Sequence, residues 1–164
     1  MRTIFALFDG YPKARQAVEE LRERGFRVEE MNAIIHAEVA RGAMDLNLRT
    51  ADVRASEDLG ERTLRGLDRL LATEQPVPLP PVGDVLAAGE LANFVVAAAG
   101  APDAEGGFTA ALVDFGVPRE VAEVYQDGVA SGGLLFWMRT DDERASEARE
   151  ILQRHHASRV GAHP

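Results

Sequence analysis

The chain has 164 residues, of which 46% are hydrophobic and 27% charged, and this predicts a globular protein rather than a disordered chain. The formal net charge of −9 and the pI near 4.9 argue against nucleic acid or an anionic membrane as the main partner, because both need a basic surface. Cysteine is absent, which excludes disulfides, thiolate metal sites and cysteine nucleophiles and suits a cytoplasmic protein.

The first 35 residues predict a strand, a helix and a second strand. Residues 3–8 form an apolar run that is too short for a signal sequence and predicts a strand. Pro12 suits the first turn of a helix, and Gly25 is placed to end it. Residues 26–35 predict the second strand, and nowhere does the chain offer the roughly 18 uninterrupted apolar residues of a membrane span.

The middle of the chain, residues 36–115, predicts a helical insertion. Residues 36–55 are polar and show no clear pattern, whereas residues 56–71 show an amphipathic helix with leucines on one side. Residues 73–83 hold four prolines and predict an extended connector. Residues 84–99 predict a helix of small residues that begins at Asp84, and residues 108–115 predict a short helix that Gly116 ends.

The last part, residues 116–164, predicts a helix, a buried strand and another helix. Pro118 suits the start of the first helix, and Gly132–Gly133 interrupts it. Residues 134–138 are apolar without alternation, which indicates a strand that is buried on both faces. Thr140 and Asp141 are residue types that cap the helix after this strand.

A helical motif of the N-terminal part recurs near the C-terminus. The spacings of three and four residues between Ala14, Ala17 and Leu21 appear again in Ala145, Ala148 and Leu152. Two such halves predict one α+β domain with a ferredoxin-like split βαβ arrangement, in which helices cover one face of a four-stranded antiparallel sheet. We therefore divide the chain into a first half of residues 1–35, the insertion, and a second half of residues 116–164.

Two parts of the chain also resemble the bacterial general stress protein family, small proteins that are induced by heat or cold. The opening segment FALFDGYPKARQAVEEL matches the first unit of that family, and the resemblance covers residues 1–35 and 79 to about 155. The matching positions of the second part are Gly116, Val117, Pro118, Ala122, Tyr125, Gly132, Gly133 and Ala148. The resemblance implies a role in stress. It assigns no site residue, because the family has no agreed activity and no established catalytic residues.

Structural roles explain the polar side chains that could carry chemistry. His155 and His156 are adjacent, so they point to different sides of a helix and cannot form the i, i+4 pair of a helical metal site. A cationic side chain is favourable at that helix end. Residues 141–143 are acidic, as the start of a helix favours, and His36 lies at the end of a predicted strand. We predict no catalytic, cofactor-binding or metal-binding residue.

Tyr125 and Trp137 are the candidate residues for a ligand site or an interface. Both suit a core, but a buried tyrosine hydroxyl needs a hydrogen-bond partner and could instead face a ligand or a second subunit.

We therefore expect a non-enzymatic, stress-associated interaction module that acts as a homo-oligomer, with a dimer as the simplest form. The open face of a four-stranded sheet would supply a surface for a second subunit. One alternative is a sensor that holds an unidentified small molecule between the sheet and the inserted helices, near Tyr125 and Trp137. A deep pocket there favours the sensor, and a filled core excludes it. A less favoured alternative is an enzyme of the ferredoxin-like class, which needs His, Asp or Arg side chains that converge in a cleft.

Overall fold

A computed structural model describes residues 2–42, 76–79, 82–99 and 107–163, and all structural statements concern these residues. The strands are β1 (Arg2–Phe8), β2 (Met31–His36), β3 (Val77–Leu79), β4 (Gly83–Ala88), β5 (Leu134–Thr140) and β6 (Ser158–His163). The helices with defined bounds are α1 (Tyr11–Glu23), α2 (Glu90–Ala99), α3 (Gly107–Asp114), α4 (Arg119–Ala130) and α5 (Asp142–Arg154). The strands form one antiparallel sheet in the order β3-β4-β2-β5-β1-β6, so the described chain has an α+β fold.

The centre of the sheet is the antiparallel pair of β1 and β5. The two strands pair over their whole length, from Arg2 opposite Thr140 to Phe8 opposite Leu134. β2 pairs with the other edge of β5, so this strand has neighbours on both sides and its apolar residues 134–138 are all buried. The prediction of a strand that is buried on both faces is confirmed for residues 134–138, whose side chains alternate between the two core clusters.

One face of the sheet is covered by α1 and α5. Ile4, Ala6 and Phe8 of β1 point to this side, where they join the buried residues of both helices in one core cluster. The recurring helical motif supplies much of the contact, since all six of its residues are buried: Ala14, Ala17, Leu21, Ala145, Ala148 and Leu152. The two copies of the motif therefore pack in one core cluster on the same face of the sheet.

The other face of the sheet is covered by α2, α3 and α4. Phe5 and Leu7, which alternate with the residues of the first face, join these helices in a second core cluster. We expected a four-stranded sheet with this face uncovered, but the sheet has six strands and both of its faces are covered. The insertion contributes the two additional strands, β3 and β4, and the helices α2 and α3, while α4 of the second half covers the same face. An open sheet face therefore gives no argument for a homo-oligomer.

The strands of the insertion differ from the prediction. Residues 84–99 were expected to form one helix, but Gly83–Ala88 is strand β4, and α2 begins only at Glu90. Alanine favours helix, but here it pairs with β2 from Ala33 opposite Ala88 onward, and this tertiary pairing overrides the local preference. Part of the predicted connector is the edge strand β3, and the predicted helix of residues 56–71 lies outside the described residues.

The start of β2 and the residues after it also refine the prediction. β2 begins at Met31 instead of residue 26, because Val28–Glu30 forms a 3-10 turn that keeps its glutamates out of the core. After His36, residues 37–42 are helical, so the described part of the segment without a clear pattern starts as a helix.

Four of the described helices end in the same way. After α1, α3 and α4 the chain passes through a glycine in the left-handed region, with φ of +87° at Gly25, +108° at Gly116 and +100° at Gly132. The N–H groups of each glycine and of the residue after it donate to carbonyl groups in the last helical turn, which is the Schellman arrangement. The predicted stops are confirmed. After α5 the same position is occupied by His156, with φ of +65°.

Candidate functional site

The structure brings Tyr125 and Trp137 together. Tyr125 is on the buried side of α4, Trp137 is in the middle of β5, and both side chains are fully buried in the second core cluster. The ring of Phe5 lies between them and stacks on each, with centroid distances of 5.8 Å to Tyr125 and 5.5 Å to Trp137. The two predicted residues therefore belong to one packed unit, which joins β1, β5 and α4.

Phe115 completes this aromatic cluster of Phe5, Phe115, Tyr125 and Trp137. Its ring meets Phe5 and Trp137 edge-on, at centroid distances of 6.3 and 6.2 Å, a favourable arrangement for aromatic pairs. Phe5 and Phe115 were not among the predicted site residues. The pairing of the two central strands in a split βαβ fold was the signal that could have placed Phe5 opposite Trp137. Packed rings occupy the region where the sensor hypothesis expected a ligand.

The hydroxyl group of Tyr125 has a partner within the chain. It donates a hydrogen bond of 2.8 Å to the main-chain carbonyl of Arg159 in β6. Burial raises the pKa of Tyr125 to about 12, and the nearby positive charge of Arg159 opposes this increase. The phenol therefore stays protonated at neutral pH and acts as a hydrogen-bond donor. It needs neither a ligand nor a second subunit as its partner.

The indole N–H of Trp137 is different, because it is buried without a hydrogen-bond partner among the described residues. A buried donor that lacks an acceptor costs roughly 1–3 kcal/mol of stability. Within the aromatic cluster, this is the group that a small hydrogen-bond acceptor would complete.

His155 lies where the structural interpretation placed it, at the C-terminal end of α5. His155 is the C-terminal cap of α5, and its Nε2 lies 2.8 Å from Glu20 Oε1 of α1. Arg154 also binds the carboxylate of Glu20. The hydrogen bond from His155 is the main reason why the pKa of Glu20 lies below its usual value, with further lowering by Arg154 against the opposing effect of desolvation. These three side chains connect the helices that cover the first face.

The other predicted polar groups make contacts within the chain. His36 Nδ1 accepts a hydrogen bond of 3.3 Å from the main-chain N–H of Glu38. Asp141 lies at the N-cap of α5, as predicted, but its side chain makes no capping hydrogen bond. Asp142 forms an ion pair of 3.6 Å with Arg2. Within the described ranges, no three His, Asp or Glu side chains are grouped so that they could hold a metal ion.

The outer side of α2 carries an exposed apolar surface that the sequence did not reveal. Phe94 is 67% exposed and is the only large hydrophobic residue in the described part of the chain that is exposed. Ala97 and Ala98 follow one turn later and are also exposed. Because residues at i, i+3 and i+4 share a helix face, Phe94, Ala97 and Ala98 form one surface, which we call the α2 surface. The sequence analysis predicted a helix of small residues here, but it did not predict that Phe94 is exposed.

A buried asparagine fixes the position of α2. Asn32 of β2 is 3% exposed, and its Oδ1 accepts hydrogen bonds from the main-chain N–H groups of Leu91 at 3.0 Å and Ala92 at 3.1 Å. Gly89 precedes the helix with φ of +100°, and a Cβ atom there would lie 2.4 Å from the same oxygen. Asn32 therefore caps a helix that lies far from it in the sequence, and only glycine fits beside it.

None of the helices in the described ranges has both the length and the apolar character needed to cross a membrane.

Comparisons with known proteins give no further assignment. No protein-family model matches this chain, and no curated protein or solved structure matches it either.

Proposed function

We propose that this chain is a non-enzymatic interaction module that acts as a homo-oligomer, with a dimer as the simplest form. The resemblance to general stress proteins is the basis for a role in stress, and the cysteine-free composition suits the cytoplasm. The observation that carries the proposal is the exposed ring of Phe94 on a helix whose position is fixed by Asn32. An exposed aromatic side chain among other apolar residues, on a rigid element, is a typical anchor of a protein interface.

The edges of the sheet favour the helical surface over strand pairing as the site of assembly. β3 is only three residues long and contains Pro78, which cannot donate a hydrogen bond to a new strand. β6 is irregular, because its register against β1 shifts between Phe5 and Leu7 and Arg159 has φ of +52°. Both features are known to protect sheet edges from further pairing.

We also propose that the fold is ferredoxin-like. The strand order β6-β1-β5-β2 supports this, because it is the order that two interleaved βαβ units produce. β3 and β4 would then be an extension that the insertion adds beside β2, and α2 and α3 would be its covering helices.

Native mass spectrometry of the full chain tests the proposed assembly. We expect a mass of twice 17.8 kDa at micromolar concentration, or a higher multiple. Sedimentation velocity over roughly 1 to 100 µM, the range in which micromolar dissociation constants are measurable, is the matching solution experiment. A monomer throughout this range would contradict the proposal.

The small-molecule sensor is the second candidate, and one observation favours it. The indole N–H of Trp137 has no partner among the described residues, so it is a donor that a bound acceptor could satisfy. The stacked rings of Phe5 and Tyr125 count against it, because they occupy the expected ligand position. A reproducible additional mass of a few hundred daltons on the native protein would support the sensor. Trp137→Phe should then remove that mass.

A further inference from the structure

We infer that the Asp9–Gly10 bond is a site of spontaneous covalent modification, at which the aspartate isomerises to isoaspartate, and that this change loosens α1 from the sheet. The inference is independent of the proposed homo-oligomer, because it concerns the chemistry of the single chain.

The reaction needs only the chain and water. The main-chain nitrogen of Gly10 attacks Cγ of Asp9, so that a C–N bond forms and a C–O bond of the carboxylic acid breaks. One water molecule leaves, made of the carboxyl OH and the amide proton. Water then opens the resulting succinimide ring. Opening at Cγ returns aspartate, whereas opening at the main-chain carbonyl gives isoaspartate, in which the main chain passes through Cγ.

Two Asp–Gly pairs are present in the sequence, and their local structures differ. A glycine after aspartate favours the attack, because no Cβ atom shields its nitrogen. The pairs are Asp9–Gly10 and Asp127–Gly128, and both aspartates are exposed. The first pair lies in the bend between β1 and α1, whereas the second lies within α4. Backbone conformation, and not exposure, therefore distinguishes the two pairs.

The helix protects the second pair. In an α-helix each N–H donates to the carbonyl four residues earlier, so the nitrogen of Gly128 is held within α4 and the helix must open before the ring can close. Gly10 instead has extended backbone, with φ of −166° and ψ of 165°. Both carboxylate oxygens of Asp9 lie 3.2 Å from Lys13 Nζ, but an exposed ion pair holds a side chain only weakly. The carboxyl group of Asp9 is therefore free to turn toward the nitrogen of Gly10.

The connection between β1 and α1 is too short to absorb the product. Phe8 ends β1 and Tyr11 begins α1, and both side chains are buried in the first core cluster, so only Asp9 and Gly10 join them. The carbonyl oxygen of Phe8 is packed closely against Gly133, where a Cβ atom would lie 2.6 Å from it. Isoaspartate adds one main-chain atom to this connection. Because a packed core does not yield easily, we expect the first turn of α1 to lose its contacts.

The test follows isoaspartate in the full chain, aged at neutral pH in water labelled with heavy oxygen, by peptide mapping with electron-transfer fragmentation. We expect isoaspartate at residue 9 to carry one heavy oxygen. Its amount should exceed that at residue 127 at least about tenfold, a ratio that a helix-opening cost of about 1.4 kcal/mol already produces.

Gly10→Ala is the matched variant. The extended backbone accepts any residue, and a Cβ atom at this position would meet nothing closer than 3.7 Å, so the variant should fold like the wild type. We expect it to lower the amount of isoaspartate at residue 9 several-fold. If circular dichroism shows that it is not folded, Asp9→Glu takes its place, because the longer side chain closes a six-membered ring, which forms much more slowly.

The outcomes separate the site from its consequence. Equal amounts of isoaspartate at residues 9 and 127, or none at residue 9, would overturn the assignment of the site. An unchanged amount in the folded variant would also overturn it, since the nitrogen of Gly10 would not control the reaction. Amide hydrogen exchange in α1 should be faster in the aged wild type than in the aged variant. Equal exchange in the presence of isoaspartate would overturn the loosening of α1.

Discussion

The phenol of Tyr125 donates a hydrogen bond of 2.8 Å to the main-chain carbonyl of Arg159. This contact connects α4, which covers one face of the sheet, to the edge strand β6. It lies where β6 departs from regular pairing with β1, at a residue with φ of +52°. Tyr125 therefore has a structural role, because it holds an irregular edge strand that has a neighbouring strand on one side only.

The first prediction concerns the stability of the fold at high pH. Burial raises the pKa of Tyr125 from 10.0 to about 12, so the unfolded chain ionises this phenol before the folded chain does. The contribution of Tyr125 is fully present below about pH 10 and is lost as the pH rises toward 12. We expect the ultraviolet absorbance of tyrosinate to show one group that titrates near pH 12 in the folded protein.

Tyr125→Phe is the control for this titration, because it removes the phenol and leaves Tyr11 in place. The difference between the two titration curves then belongs to Tyr125. We also expect the variant to be less stable by about 1 kcal/mol, since the carbonyl of Arg159 loses its donor. If the difference curve has its midpoint near pH 10, the phenol is accessible to water and its structural role is refuted.

A second prediction follows from the end of α5. His156 occupies the left-handed position that glycine occupies after α1, α3 and α4, and a side chain makes this conformation unfavourable. We expect His156→Gly to raise the free energy of unfolding by roughly 0.5–1 kcal/mol. Urea denaturation measures this change.

Gly132→Ala makes the reverse substitution at the end of α4, because it places a side chain where glycine has a left-handed conformation. Gly132 has φ of +100°, and a Cβ atom there would meet nothing closer than 3.8 Å, so the substitution tests backbone conformation without a steric clash. We expect it to lower the free energy of unfolding by about 1 kcal/mol. Equal stability of His156→Gly and the wild type would mean that the histidine side chain makes compensating contacts.

The sequence predicted the parts of the fold whose signals are local. Gly25, Gly116 and Gly132 were expected to end helices, and each does so because only glycine adopts the left-handed conformation at low cost. The apolar stripes of α1 and α5 were visible because periodicity depends only on neighbours along the chain.

Other features depended on contacts between distant residues and could not be predicted in this way. The sequence of β4 predicts a helix, because its alanines favour helix. Only the pairing with β2 makes this segment a strand. In the aromatic cluster, Phe5 contacts Trp137 across more than a hundred residues of sequence, and Phe115 contacts it across about twenty. Periodicity along the chain does not reveal such contacts. The exposure of Phe94 depended on which side of α2 faces the sheet, and the apolar composition of that helix conceals this.

A third prediction concerns the cap that Asn32 provides for α2. Asn32→Leu removes the acceptor of two main-chain N–H groups and leaves them buried beside an apolar side chain. We expect a loss of roughly 1–3 kcal/mol in the free energy of unfolding, measured by urea denaturation. The loss should be accompanied by faster amide hydrogen exchange at Leu91 and Ala92.

Asn32→Asp is the conservative control, because a carboxylate keeps the acceptor and the helix dipole favours its charge. We expect amide exchange at Leu91 and Ala92 to stay slow in this variant. If Asn32→Leu leaves these amides as protected as they are in the wild type, the asparagine is not their acceptor in solution.

The last prediction concerns acid unfolding. Hydrogen bonding by His155, together with Arg154, holds the pKa of Glu20 below its ordinary value of 4.5. Stability from this carboxylate is present above the unfolded pKa and is lost as the pH falls through the lower folded value. We expect Glu20→Gln to be less stable than the wild type near neutral pH. The two stability curves should converge as the pH falls from about 4.5 through the lower pKa of the folded carboxyl, below which the group is protonated in both states.

Glu19→Gln is the matched control, because it makes the same change of charge one residue earlier. Within the part of the chain that the structure describes, the carboxylate of Glu19 forms its ion pair with Arg22 of the same helix and not with α5. An exposed pair within one helix contributes little, and its loss should leave the acid limb of the stability curve close to that of the wild type. If the two variants have the same pH dependence, the contact of Glu20 with Arg154 and His155 does not stabilise the first face. The packing of Ala14, Ala17, Ala145 and Ala148 would then hold α1 against α5 without it.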